Sequence, residues 1–216
     1  MNTLRLITLR LITLSLLSIL IFSCSDDDSG GTEVEEQPLE TSTFENLHAP
    51  QEGGGPNPAS GEFTKFDFET GMTTESDTEW DIALRGTTIA VNGGVQTGTT
   101  DEPERTSDCG VIIENGTFAD ITEVPESESL VQDSTDGFAI PTGSGNGWYN
   151  YDFATNVINP IPGKVFIFKT TDDHYAKVEI LSYYQDAPSE IDPFEDEARY
   201  YTFRYTYNPN EGQTNF

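Results

Sequence analysis

The sequence predicts an all-β fold: a single, mostly antiparallel domain that ends in a meander of three strands. Three observations carry this. Trp80, Ile82 and Leu84 recur at period two with Asp81 and Ala83 between them, the pattern of a strand with one face turned inward. Val165-Phe166-Ile167-Phe168 is an unbroken apolar run between two lysines, as expected of a central strand covered on both faces. Near the C-terminus Tyr201, Phe203, Tyr205 and Tyr207 alternate with Tyr200, Thr202, Arg204 and Thr206. No stretch sustains a helical period.

Taken in order, residues 1–23 carry Arg5 and Arg10, no acidic residue, and an apolar run from Leu11 to Phe22. A run of about 12 residues spans roughly 18 Å as a helix, short of the ~30 Å hydrocarbon core, so a signal peptide fits better than a membrane anchor. Ile21-Phe22-Ser23-Cys24 resembles a bacterial lipobox, with Phe22 departing from the usual small residue, and makes Cys24 the expected lipidation site. Ser25-Asp26-Asp27-Asp28 resembles the acidic tag that sends Bacteroidota lipoproteins to the outer face of the outer membrane. Residues 24–38 are acidic, rich in Gly, Ser and Thr, and too poor in apolar surface to offset their ordering entropy; they read as a flexible tether. The β domain occupies residues 39–216.

Within it, residues 41–47 and 63–68 are expected strands, with a Gly/Pro loop at 51–61 between them. After Leu84 the apolar positions resume at Ile89 and Val91 on the opposite parity. That slip places a bulge at Gly86, and Asn92-Gly93 supplies a turn signal. Residues 111–113 and 117–121 read as a hairpin around Asn115-Gly116, followed by a loop-rich stretch to Ser144. Tyr149, Tyr151 and Phe153 then share one face of a strand. Residues 164–169, a turn at 170–173, residues 175–184, an acidic loop at 185–197 and residues 200–207 form the closing meander.

The charge is lopsided: 38 acidic against 10 basic residues, a formal net charge of −28. Nucleic acid and anionic lipid both demand clustered Lys and Arg, which the domain lacks. Cys109 is the only other cysteine, without a basic neighbour in sequence, so a free thiol is expected rather than a nucleophile. His48 precedes a loop and His174 sits at a hairpin tip, and neither belongs to a spaced zinc cluster. Asp172-Asp173, Asp192 and Asp196 match no calcium-loop spacing. Neither a P-loop nor a dinucleotide fingerprint is present. The chain reads as a non-enzyme with no catalytic or metal-binding set.

Residues 80–94 (WDIALRGTTIAVNGG), 163–187 (GKVFIFKTTDDHYAKVEILSYYQDA) and 200–212 (YYTFRYTYNPNEG) together resemble the HmuY-like family of Bacteroidota surface lipoproteins. The best-known member takes up haem, holding its iron between two histidines, while some relatives are thought to use methionines. The resemblance implies an outer-membrane lipoprotein facing the cell exterior, a receptor in the same membrane, and a haem-like or other hydrophobic ligand. It does not supply the iron ligands. One family histidine would stand at or near Phe153, and the other on the connection 136–147, which holds neither His nor Met. A ligand would therefore meet aromatics: Trp148, Tyr149, Tyr151 and Phe153. The alternative is a receptor- or glycan-interacting lipoprotein with no haem site.

Overall fold

The computed structural model describes residues 36–125 and 130–216. The leader, Cys24 and the tether up to residue 35 lie outside the described residues. The described strands begin with β1 (Glu40–His48), β2 (Glu52–Gly54), β3 (Asn57–Ser60), β4 (Thr64–Asp67) and β5 (Met72–Thr74). They continue with β6 (Ile82–Arg85), β7 (Thr88–Val91), β8 (Gly110–Asn115), β9 (Tyr149–Asp152) and β10 (Val157–Pro160). The chain closes with β11 (Lys164–Lys169), β12 (Tyr175–Tyr184) and β13 (Ala198–Asn208). A five-stranded sheet runs β1-β13-β12-β11-β8 and a four-stranded sheet β5-β4-β6-β7, with two further hairpins, β2–β3 and β9–β10. Every strand pairing is antiparallel. The all-β class and the closing β11-β12-β13 meander are as the sequence predicts.

The two sheets face one another across one core. Phe66 and Phe68 of the four-stranded side meet Phe203 and Phe168 of the other at ring distances of 5.2 and 5.5 Å. Ile82, Leu84, Ile89 and Val91 fill the same layer against Phe166, Val178 and Ile180. Each such side chain, fully buried, contributes about 1.5–3 kcal/mol from apolar area alone. The four-stranded sheet is also covered on its second face, by Phe63, Trp80, Ala83, Ala90 and Phe138. Trp80 therefore packs opposite to Ile82 and Leu84, against the period-two reading. The chain bends at Asp81, whose carboxylate turns inward to accept the N–H groups of Phe68 and Thr171 at 2.8 and 2.7 Å. A loop over this second face is fixed by Arg105, which bonds Glu102 at 2.5 Å and Asp133 at 2.6 Å.

Four other sequence expectations are corrected. Gly86 is not a bulge: Arg85 pairs with Thr88 and Leu84 with Ile89, so Gly86-Thr87 is a two-residue hairpin turn. Leu84 and Ile89, being cross-strand partners, share a face, and this explains the parity slip without any extra residue. A positive φ of 54° at Gly86, with none at Thr87, is the pattern of a type II′ turn. Asn92-Gly93 is not a turn. Asn92 is buried, its amide donating to the Trp80 carbonyl at 2.9 Å, and Gly93 bridges to Ser107 and Asp108. A Cβ on Gly93 would stand 1.8 Å from the Cys109 carbonyl oxygen, so the close approach of two backbones requires glycine there. Residues 117–121 form a turn rather than a strand, because β8 takes β11 as its partner, Asn115 against Lys164. The Gly/Pro loop at 51–61 holds the short β2–β3 hairpin.

Candidate functional site

The four aromatics singled out in the sequence lie along the β9–β10 hairpin and grade from core to surface. Trp148 is 1% exposed, with its ring 5.4 and 5.0 Å from those of Tyr183 and Tyr201, and its indole N–H donates to the Thr87 carbonyl at 2.9 Å. Tyr149, opposite Pro160, is buried beside it at 4.8 Å. Burial raises the phenols of Tyr183 and Tyr201 above the ordinary value, so this aromatic nest stays uncharged. Tyr151, opposite Ile158, is half-buried. Phe153 is 83% exposed and lies beyond the end of β9, in the connecting turn.

That turn is built by polar side chains. The Asp152 carboxylate accepts the Ala154 N–H at 2.9 Å and the Thr155 hydroxyl at 2.8 Å, and these bonds hold its pKa below the usual range. Asn156 takes a positive φ of 60° and accepts the Tyr151 hydroxyl at 2.8 Å. The Phe153 ring consequently stands edge-on to Tyr151, 4.8 Å away at 81°. Opposite Tyr151 the Ile158 N–H donates to the Tyr184 hydroxyl at 3.0 Å, and at the base of the hairpin the Ile161 N–H donates to the Trp148 carbonyl at 2.8 Å. The result is an aromatic tip on a fixed support. Trp148 and Tyr149 belong to that support, Tyr151 packs partly against the core, and Phe153 presents its ring outward.

A haem held between the two histidines does not fit this chain. His48 pairs with Tyr200 at one end of β13 and stacks on its ring at 4.5 Å. His174 contacts Tyr207 at the other end, 2.9 Å from ring nitrogen to phenol oxygen. Seven residues of extended strand separate those two tyrosines by roughly 23 Å. Two axial donors must instead face each other across one ring. Met72, on the edge strand β5, is 63% exposed.

Two clefts were not anticipated. One, of about 600 Å³, is bordered by Phe63, Thr64, Lys65, Thr74, Asp101 and Glu104. Lys65 there bonds Asp77 at 2.9 Å, leaving the rest acidic and hydroxyl-rich. The other, of about 570 Å³, opens beside His174, Tyr205 and Tyr207. Both are assembled from segments far apart in the chain, and no local pattern marks them. Of the acidic residues weighed for calcium, Asp173 bonds Lys169 at 2.8 Å, while Asp196 accepts the Asp192 N–H at 2.7 Å within its own loop.

The model of a family described as "HmuY protein" matches residues 60–205. No curated protein sequence matches the chain. Among solved structures, an apo HmuY analog from Tannerella forsythia is similar at 13% identity and a TM-score of 0.46, over 82% of this chain and all of that one. A protein from Bacteroides vulgatus described as HmuY-like and heme-binding is similar at 17% identity and a TM-score of 0.45, over 77% of this chain and 90% of that one. A protein from Bacteroides fragilis described as a lipoprotein is similar at 17% identity and a TM-score of 0.44, over 79% and 91% respectively.

Proposed function

Because the chain belongs to the HmuY family, we propose that it is a binding lipoprotein of the outer membrane, anchored through Cys24, and not an enzyme. It captures a flat hydrophobic ligand, a haem-like ring included, on the aromatic tip of the β9–β10 hairpin rather than between paired iron ligands. One observation carries this reading: a phenylalanine left 83% exposed, yet held edge-on against a tyrosine whose hydroxyl is itself tied down. A solvent-facing ring fixed against a neighbour offers stacking area at little ordering cost.

Haemin added to the purified domain tests it through the Soret band. A broad, weak change is expected, diminished by Phe153→Ala and by Tyr151→Ala. Silence at every concentration would overturn the haem-like ligand. A sharp bis-imidazole spectrum abolished by replacing His48 or His174 would overturn the aromatic site.

A second reading, a glycan- or receptor-binding lipoprotein without a haem site, draws on the cleft that Thr64, Thr73, Thr74 and Thr106 border together with carboxylates. Such a density of donors and acceptors suits a sugar. Haemin silence together with retention on a glycan surface, lost in Thr74→Val, would favour it.

A further inference from the structure

At the end of β12 remote from Tyr184 and the aromatic hairpin, three side chains of different chemistry converge. Asp172 comes from the β11–β12 turn, His174 from the residue before β12, and Tyr207 from β13. The His174 Nδ1 lies 2.7 Å from the Asp172 Oδ2 and 2.9 Å from the Tyr207 hydroxyl oxygen, and that hydroxyl also donates to the Asp172 Oδ2. Among the described residues no three His, Cys, Asp or Glu side chains gather in this way, and here the third donor is a phenol.

The three donor atoms already converge on one point, as one face of a coordination shell requires. Donors each about 2.1 Å from one ion stand roughly 3 Å apart at right angles and roughly 3.4 Å apart at the tetrahedral angle usual for zinc. The 2.7 and 2.9 Å edges therefore open by about 0.1–0.7 Å to admit an ion, and the Tyr207–Asp172 edge by more. The turn that carries two of the donors is fixed from behind: the Thr170 hydroxyl donates to the Asp172 Oδ1 at 2.5 Å and accepts the His174 N–H at 3.1 Å. Lys169, the neighbouring cation, is neutralised by Asp108 at 2.7 Å and Asp173 at 2.8 Å. His174 and Tyr207 border the 570 Å³ cleft, whose wall also includes Glu40 and Glu69, so an ion held there would keep open positions toward carboxylate-lined solvent.

We propose that Asp172, His174 and Tyr207 form a binding site for a divalent first-row transition-metal ion. The donor set selects the class. An imidazole nitrogen disfavours calcium and magnesium, and the absence of sulfur from the triad disfavours soft copper(I). The ion takes the place of the proton that Tyr207 shares with Asp172, and the neutral imidazole coordinates through Nδ1, so one proton leaves to solvent per ion bound. This site stands independently of the aromatic hairpin, and neither depends on the other.

Zinc ion alone is the probe. The chain holds two histidines, so imidazole resonances of the unaltered protein provide an internal control. Stoichiometric zinc is expected to shift or broaden His174 and leave His48 unmoved, with one ion bound per chain by calorimetry. Asp172→Asn and Tyr207→Phe should each weaken binding at least tenfold, and calcium in excess should not displace the zinc. An unmoved His174, equal shifts of both histidines, displacement by calcium, or unchanged affinity in both variants would each overturn the site.

Discussion

At the scale of single residues, the structure separates side chains that hold the fold from those free to meet a ligand. Trp148 fills the space between the hairpin and Tyr201 and makes a buried hydrogen bond, so Trp148→Ala should cost about 3–5 kcal/mol of stability. Phe153→Ala removes no core contact and should change stability by less than about 0.5 kcal/mol while weakening ligand binding. Urea unfolding of both variants checks this, and equal losses would mean that the tip is part of the core. Asp81 is a buried residue whose charge state bears on folding. Burial pushes its pKa up to about 6 from an ordinary 3.8, outweighing the bonds from the Phe68 and Thr171 N–H groups. Below about pH 4 the carboxyl is protonated in folded and unfolded chains alike. Between about 4 and 6 only the folded chain keeps the proton, so stability falls as the pH rises through that window, by about 3 kcal/mol at 1.36 kcal/mol per unit. Asp81→Asn should flatten that part of the pH–stability curve; an unchanged slope would place the effect elsewhere. Cys109 is 1% exposed and its thiol is pushed up to about 12 by burial. In a Cys24→Ala form it should react with a thiol reagent only after unfolding, and fast labelling of the folded chain would contradict its burial.

At the scale of elements, what a sequence shows depends on whether the partner is near in the chain. β11, β12 and β13 were legible because each joins the next through one connection and pairs with it antiparallel. The β6–β7 hairpin is hidden in the sequence for a physical reason: a parity slip has two solutions, an absorbed residue or a two-residue turn. Only the pairing of Leu84 with Ile89 decides between them. The turn is pinned further, as the Gly86 N–H donates to the Ala49 carbonyl and its own carbonyl accepts the Tyr201 hydroxyl, both at 2.9 Å. Gly86→Ala would meet an unfavourable φ and a Cβ position 2.1 Å from the Gln51 Oε1, a flexible side chain that can move away. The loss should therefore be the conformational part, about 1–2 kcal/mol, read as a lower urea midpoint with an unchanged slope. A variant as stable as the original would rule out the positive-φ turn. The site shows the same division between near and distant partners. Tyr151 and Phe153 are close in sequence and were visible there, whereas Asp172 and His174 find Tyr207 only through the register of β12 on β13, where Tyr175 faces Asn208.

At the scale of the whole molecule, sequence and fold meet at the attachment to the membrane, and the proposed anchor is what would hold the β domain at the cell surface. Residues 36–216 form one compact unit with its own core, so the fold needs no lipid to stand. The chain's formal net charge of −28 gives it no attraction for an anionic bilayer, and at low ionic strength repels it. On the proposed reading, retention at the membrane comes from covalent lipid at Cys24, where each buried methylene contributes about 0.8 kcal/mol and two or more chains are needed for stable attachment. Replacing Cys24 by Ala should accordingly release the protein from the membrane fraction completely rather than partially, and abolish incorporation of labelled palmitate, while haemin binding and the unfolding midpoint of the domain stay as they were. Undiminished palmitate label in the Ala variant would refute Cys24 as the lipid site. Retention at the membrane without the label would instead reveal a protein surface that binds the bilayer or a receptor directly.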